Sequence, residues 1–404
     1  MAKMVNLRPF KEFFQSEQVG GILLIVCVAL SLIIANTEWN EGFKSILNTE
    51  FGYSSAAVSL SYSTALWIND GLMAIFFLLV GLEIKREIIE GELSSPKKAA
   101  MPIFAALGGM LMPATIFALF NNSTPTSAGW GIPMATDIAF ALGVISLLGK
   151  RVPASLKIFL AALAIADDLG AILVIAVFYT NELHWDQLLY AAAILGLLIL
   201  LNRFGVRKLI FYIIPGIFLW YFVHHSGIHA TIAGVLLALT IPTNPVKETS
   251  PLEALEHAIV KPVNFIIMPV FALANTNIRF EPAMLDGLYS PLGMGIILGL
   301  VLGKPIGVTL FSWLSVKMGL SSLPSRAGWG HIIGLGLLAG IGFTMSIFIA
   351  ILSFSNPLFQ VQAKFSILIA SLGAGIVGYI FLSLLNSKRK NPATIKPQAI
   401  LRQN

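Results

Sequence analysis

Residues 154–178 read ASLKIFLAALAIADDLGAILVIAVF, an apolar run interrupted near its middle by Asp167-Asp168. The run is long enough to cross a hydrocarbon core of roughly 30 Å. The two aspartates lie 13 and 14 residues in, about 20 Å along a helix rising 1.5 Å per residue. Neighbouring side chains project about 100° apart, so both cannot face lipid and be tolerated. They must look into protein or a cavity, and this run is therefore one span among several.

The composition agrees. Of 404 residues 56% are apolar and 11% charged, with mean hydropathy +0.83. Soluble domains carry about 25% charge; here lipid replaces water over most of the surface. A formal charge of +6 and a pI near 9.3 do not indicate nucleic acid, because the basic residues sit in short loops between apolar runs. Cys27 is the single cysteine, which excludes an intrachain disulfide. Lys3, Arg8 and Lys11 precede a first run too long for a signal h-region, which is read as an uncleaved first helix.

Twelve apolar runs are expected as helices, near 19–35, 64–82, 99–120, 127–148, 154–178, 187–201, 209–223, 227–241, 258–276, 291–316, 332–353 and 361–385. The sixth to eighth are short for a span. The remainder is expected as one membrane domain over 1–404, with a tail at 386–404. Twelve spans put twenty lysines and arginines on the side of the N-terminus and two, Lys44 and Arg279, on the other. Missing one span would destroy that asymmetry. The even count and two cytoplasmic termini therefore support each other.

Charged groups inside such runs cost about 2.5–3.5 kcal/mol each and mark ion pathways. Burial disfavours the ionised carboxylate and a second carboxylate disfavours it further, so an empty Asp167–Asp168 pair holds at least one proton. A desolvated monovalent cation supplies the missing charge and displaces protons from the same oxygens. Asp137 follows Pro133, which removes a backbone donor and disfavours helix at Ile132. The fourth run is expected to break there, with Asp137 neutralising positive helix N-termini. Lys304 lies 13 residues into the tenth run, too deep to snorkel; it is either a structural ion-pair partner or part of proton coupling. Asp70 and His229 read as residues near the outer interface.

Gly340-Ile341-Gly342-Phe343-Thr344-Met345-Ser346 in the eleventh run echoes the interrupted fourth. The two occupy equivalent places in groups three to five and ten to twelve, seven spans apart. That offset inverts them, the pattern of a midplane site between inverted repeats. An intramembrane aspartyl protease would need two converging aspartates, but no Gly-x-Gly-Asp motif is present. A sodium-coupled symporter would also have to hold an organic solute. No phosphate-binding loop supports ATP-driven pumping.

Trp67-Ile68-Asn69-Asp70, Ala135-Thr136-Asp137-Ile138-Ala139-Phe140, Ala166-Asp167-Asp168-Leu169-Gly170, Ser226-Gly227-Ile228-His229-Ala230-Thr231, Leu255-Glu256-His257, Gly303-Lys304-Pro305 and Gly340–Ala350 together resemble the NhaA-type bacterial sodium/proton antiporters, in order from about 18 to 380. The resemblance implies an all-α polytopic fold of 12 transmembrane helices with inverted repeats and two crossed discontinuous helices, the fourth and eleventh. It implies an electrogenic, pH-regulated exchange of Na+ or Li+ for protons, without a cofactor, at the bacterial inner membrane. Asp167 and Asp168 would bind the transported ion and protons, with Thr136 and Asp137 contributing. Lys304 and Asp137 would balance the broken-helix ends, and Lys304 would pair with Asp167 when no cation is bound. Glu83, Arg86, Glu87, Glu256 and His257, with His229, are the pH-response candidates. A homodimer is implied, partly through a hairpin near 49–62. Glu253 and Ala254 depart from the family pattern, which carries two basic residues there.

Overall fold

The structure is a computed structural model that describes residues 8–54, 60–180, 183–244, 249–281 and 283–387, with side chains described from Val19. The tail expected at 386–404 lies outside these residues, apart from Asn386 and Ser387, which end the last helix.

The chain is helical almost throughout. It begins with α1 (Arg8–Ala35), α2 (Asn40–Asn48) and two short strands, β1 (Glu50–Phe51) and β2 (Tyr62–Ser63). There follow α3 (Thr64–Ile89), α4 (Pro96–Asn121), a 3-10 helix (Ser127–Met134) and α5 (Ile138–Leu147). Then come α6 (Ala154–Phe178), α7 (Trp185–Arg203), α8 (Ile210–His225), α9 (Thr231–Thr240) and α10 (Pro251–Asn275). The last are α11 (Ala283–Leu288), α12 (Pro291–Lys317), α13 (Trp329–Ala339), α14 (Phe343–Ser353) and α15 (Pro357–Ser387).

Among the described residues eight helices are long and apolar enough to cross a membrane, ten if each of two bent pairs is one span. The protein is thus a multi-pass membrane protein. The twelve runs all become helix, but α8 and α9, with 16 and 10 residues, reach only about 24 and 15 Å. Gly227, at φ +88°, adopts a left-handed conformation suited to glycine, so residues 227–230 form a turn and α9 starts later than expected.

Three helices contain π-helical turns, at Trp67–Leu72, Val263–Ile267 and Gly299–Gly303. The second and third stand just before Pro269 and Pro305. A proline leaves the carbonyl four residues earlier without its helical donor, and a wider turn accommodates the defect. One consequence is local to Lys304, which directly follows the Gly299–Gly303 turn. Where α4 crosses α12, Gly108 and Gly307 touch backbone to backbone, and a Cβ on either would collide with the other's carbonyl. A Cβ on Gly109 would lie 3.8 Å from Lys304 Nζ. Small residues thus bring two helices close enough to seat the lysine in the interior.

A two-stranded antiparallel sheet does form in the expected hairpin region, with Glu50 opposite Ser63 and Phe51 opposite Tyr62. Residues 55–59 of that hairpin lie outside the described set.

Candidate ion site between the two interrupted helices

The fourth span breaks at Ala135–Asp137, three residues later than the Ile132 expected, because the 3-10 helix absorbs Pro133. Ala135 and Asp137 are extended, at ψ 146° and 98°. The eleventh breaks between α13 and α14, with a 48° bend at Gly340–Gly342. The two breaks lie against each other. Asp137 N donates to Ile341 O at 2.6 Å, so each supplies a partner that the other's missing helix turn would have provided.

The side chains repeat this reciprocity. Thr136 Oγ1 donates to Ala339 O at 2.9 Å, and Ser346 Oγ donates to Ile132 O at 2.7 Å. Each break therefore satisfies a carbonyl at the end of the other's first half-helix. Asp137 joins the opposite poles. Its Oδ1 accepts from Phe140 N at 3.1 Å, capping α5. Its Oδ2 accepts from Thr344 N at 3.1 Å and from the Thr344 hydroxyl. One carboxylate thus serves the N-termini of α5 and α14, where helix dipoles favour negative charge. Ser371 Oγ accepts from Phe343 N at 3.1 Å and completes the second terminus.

Lys304 is fully buried, and its Nζ donates to Asp167 Oδ2 at 2.5 Å and to Thr136 Oγ1 at 2.9 Å. Asp167 and Asp168 are only 1% and 3% exposed. Asp167 Oδ1 and Asp168 Oδ1 are buried with no hydrogen-bond partner among the described residues. Such atoms are expensive unless a proton or cation satisfies them. Around Asp168 the charged groups are Asp167, Glu83, Asp137 and Lys304. The structure therefore brings Asp167, Asp168, Thr136, Asp137 and Lys304 together in one dry cluster, from three separate regions of the chain. Thr344 and Ser346 were visible in the sequence only as part of a motif, without a role.

The pH-response candidates divide. Arg86 Nε lies 3.2 Å from Glu256 Oε2, without the alignment of a hydrogen bond, and Arg86 Nη2 lies 3.8 Å from Glu87 Oε1. Glu83 interacts electrostatically with both Asp168 and Glu256. His257 is exposed beside Glu256. His229 belongs elsewhere: it lies near Asp70 and His224, and His224 Nδ1 is 3.4 Å from Asp70 Oδ2. Glu253 has a local task that explains its departure from the family pattern. Its carboxylate accepts from Ser250 N at 2.8 Å while Ser250 Oγ accepts from Glu253 N, forming a capping box that starts α10.

Residues 11–382 match the family model described as Na+/H+ antiporter 1. A Flavobacterium johnsoniae protein named Na(+)/H(+) antiporter NhaA 2 is 62% identical over 391 residues, covering 96% of each chain. Those named Na(+)/H(+) antiporter NhaA in Flavobacterium psychrophilum and Bordetella parapertussis are 52% and 50% identical, over 92% and 93% of this chain and 95% and 96% of theirs. The chain belongs to the Na+/H+ antiporter 1 family.

Proposed function

We propose that this protein is a secondary transporter that exchanges Na+ or Li+ for protons, with Asp167 and Asp168 as the exchanging groups. The observation that carries the reading is the state of three carboxylate oxygens. Asp167 Oδ2 is held by the Lys304 ammonium, while Asp167 Oδ1 and Asp168 Oδ1 are buried and unpartnered. A small cation with oxygen ligands would satisfy both, and Thr136 Oγ1, which accepts from Lys304, offers a neutral ligand. Entry of Na+ requires protons to leave and competes with Lys304 for Asp167. That competition couples the two flows without any covalent chemistry.

Asp137 has a different task. It neutralises two helix N-termini, so the interrupted helices can hold a changing charge nearby without themselves being unbalanced. We read the interrupted pair as the crossed centre of an inverted repeat, and α8 and α9 as the two short members of a twelve-span bundle. Two carboxylates serving one monovalent cation favour more protons than sodium per cycle, hence electrogenic exchange. The asymmetry of basic residues supports a bacterial inner-membrane location with both termini in the cytoplasm. The Glu83, Arg86, Glu87, Glu256 and His257 cluster is assigned to pH response, and the β1–β2 pair to a homodimer contact.

Reconstituted vesicles with an imposed pH gradient and an internal pH dye test the central claim. Adding Na+ or Li+ without organic solute is expected to dissipate the gradient, and Asp168→Asn to lower that signal at least about a hundredfold, the loss of an essential ligand and proton carrier. A full signal from Asp168→Asn, or none from wild type, overturns the assignment.

A further inference from the structure

A polar cavity lies beyond the end of α1. It holds about 580 Å³ and is lined by Ala35, Asn36, Thr37, Glu38, Asn40, Glu41, Arg279 and Phe280. That is within the range of about 300–1,000 Å³ usual for small-ligand pockets. Its walls are fixed by Asn36, which donates from Nδ2 to Ile278 O at 3.0 Å and accepts at Oδ1 from Phe280 N at 2.7 Å. The end of α1 is thereby tied to the segment after α10.

Three features define what fits. Arg279 and the carboxylates of Glu38 and Glu41 line the same cavity, yet Arg279 forms no ion pair with either among the described residues. Residues of both charges thus line one space. Asn40 is only 4% exposed, and its Oδ1 has no hydrogen-bond partner among the described residues. A buried acceptor of this kind is costly unless a donor reaches it. The third feature is position. The α2 helix turns 110° from α1; Trp39, the residue that precedes it, and Ile46, seven residues on and so on the same face, are 72% and 61% exposed. Glu41 and Lys44 pair at 3.8 Å on the opposite face. This is the form of a helix lying in the membrane interface, with tryptophan at headgroup level.

We propose that the cavity binds the headgroup of a zwitterionic aminophospholipid from the outer leaflet. Its phosphate meets Arg279, and its ammonium meets Glu38 and Glu41 and donates to Asn40 Oδ1. The acyl chains descend along α1, whose Leu30 and Ile33 are exposed within about one and a half turns of Ala35. An anionic lipid without an amine would meet Arg279 equally well but leave the two carboxylates and Asn40 Oδ1 unserved.

Native mass spectrometry of the full chain tests this, with phosphatidylethanolamine, phosphatidylcholine and phosphatidylglycerol of identical acyl chains titrated separately. Phosphatidylethanolamine is expected to be retained about tenfold more tightly than phosphatidylglycerol, the worth of one charge-assisted hydrogen bond. Phosphatidylcholine, which keeps the charge but has no N–H, should fall between. Arg279→Ala should cost about tenfold in phosphatidylethanolamine retention, and Glu38→Gln with Glu41→Gln should erase the preference over phosphatidylglycerol. Equal retention of the three lipids by wild type overturns the proposal whether or not the variants fold, as does unchanged retention in both folded variants. The outcome is independent of the exchange assay, because none of these residues touches the ion site.

Discussion

Two clusters in this molecule are built from the same parts, carboxylates with one basic partner, and they differ in burial. At the ion site Lys304 and Asp167 are each 1% exposed and 2.5 Å apart. In the second cluster Arg86 and Glu256 are 37% and 9% exposed and 3.2 Å apart. Water reaches the Arg86 side of the second pair, 37% exposed, and neither side of the first. At the proposed ion site charge would then balance among proton, sodium and lysine alone, whereas the second cluster can tolerate more imbalance. Glu83 connects the two regimes, interacting electrostatically with Asp168 and with Glu256.

The sharpest test of this contrast removes the basic partner from each. Lys304→Met leaves Asp167 buried and unpaired, a defect of about 3–5 kcal/mol, read as a large fall in Tm in detergent. Adding Asp167→Asn to that variant should recover part of the loss, because the orphaned charge disappears with the second substitution. If the double variant is as unstable as the sum of the single ones, Lys304 and Asp167 are not the coupled pair their geometry indicates.

Asp137 should sit between the extremes. It is 1% exposed, but its partners are backbone N–H groups and a threonine rather than a cation. Asp137→Asn keeps one acceptor and loses the charge at two helix N-termini, which should cost about 1–2 kcal/mol. Thr344→Val removes one hydroxyl contact and should cost less. Thermal melts of the two variants check the order, and equal losses would show that the shared capping charge contributes nothing beyond a single hydrogen bond.

Much of this contrast could be read before any coordinates. Hydrophobic run length placed Asp167 and Asp168 in the helix 154–178 with both ends correct, because nothing polar competes with that pattern. Pro133 announced an interruption, though its place moved from Ile132 to Ala135–Asp137 once a 3-10 helix absorbed the proline. The partners across the break were not legible. Thr136 to Ala339 and Ser346 to Ile132 span about two hundred residues, and no local spacing encodes such a pairing. A different kind of omission concerns α10, expected from 258 and found from Pro251. The signal was present in Ser250-Pro251-Leu252-Glu253, a capping box with proline at the first helical position, but it lay outside the apolar run that set the boundary. The nine residues of α2 sit in a polar stretch, where helix length gave no warning of an interfacial element. His229 joined the pH-response candidates by resemblance alone, and the fold places it with Asp70 and His224 instead.

The smallest effect should come from the second cluster, and its smallness is informative. Arg86→Gln removes a cation that is 37% exposed and whose Nε is not aligned to donate to the buried Glu256, so the stability cost should stay near the upper end for exposed ion pairs, about 1 kcal/mol. What should change is the response to protons. With Arg86 gone, Glu256 loses the cation 3.2 Å from its Oε2, while Asp167 and Asp168 keep their own environment. The exchange rate at the most favourable pH should then be nearly that of wild type, with the profile displaced along the pH axis. Raising ionic strength should shrink the displacement, since screening acts on half-exposed charges and hardly on buried ones. Measuring exchange across pH at low and high salt checks both parts. A fall in maximal rate with an unmoved profile would mean that Arg86 belongs energetically with Lys304, and that exposure does not separate the two clusters.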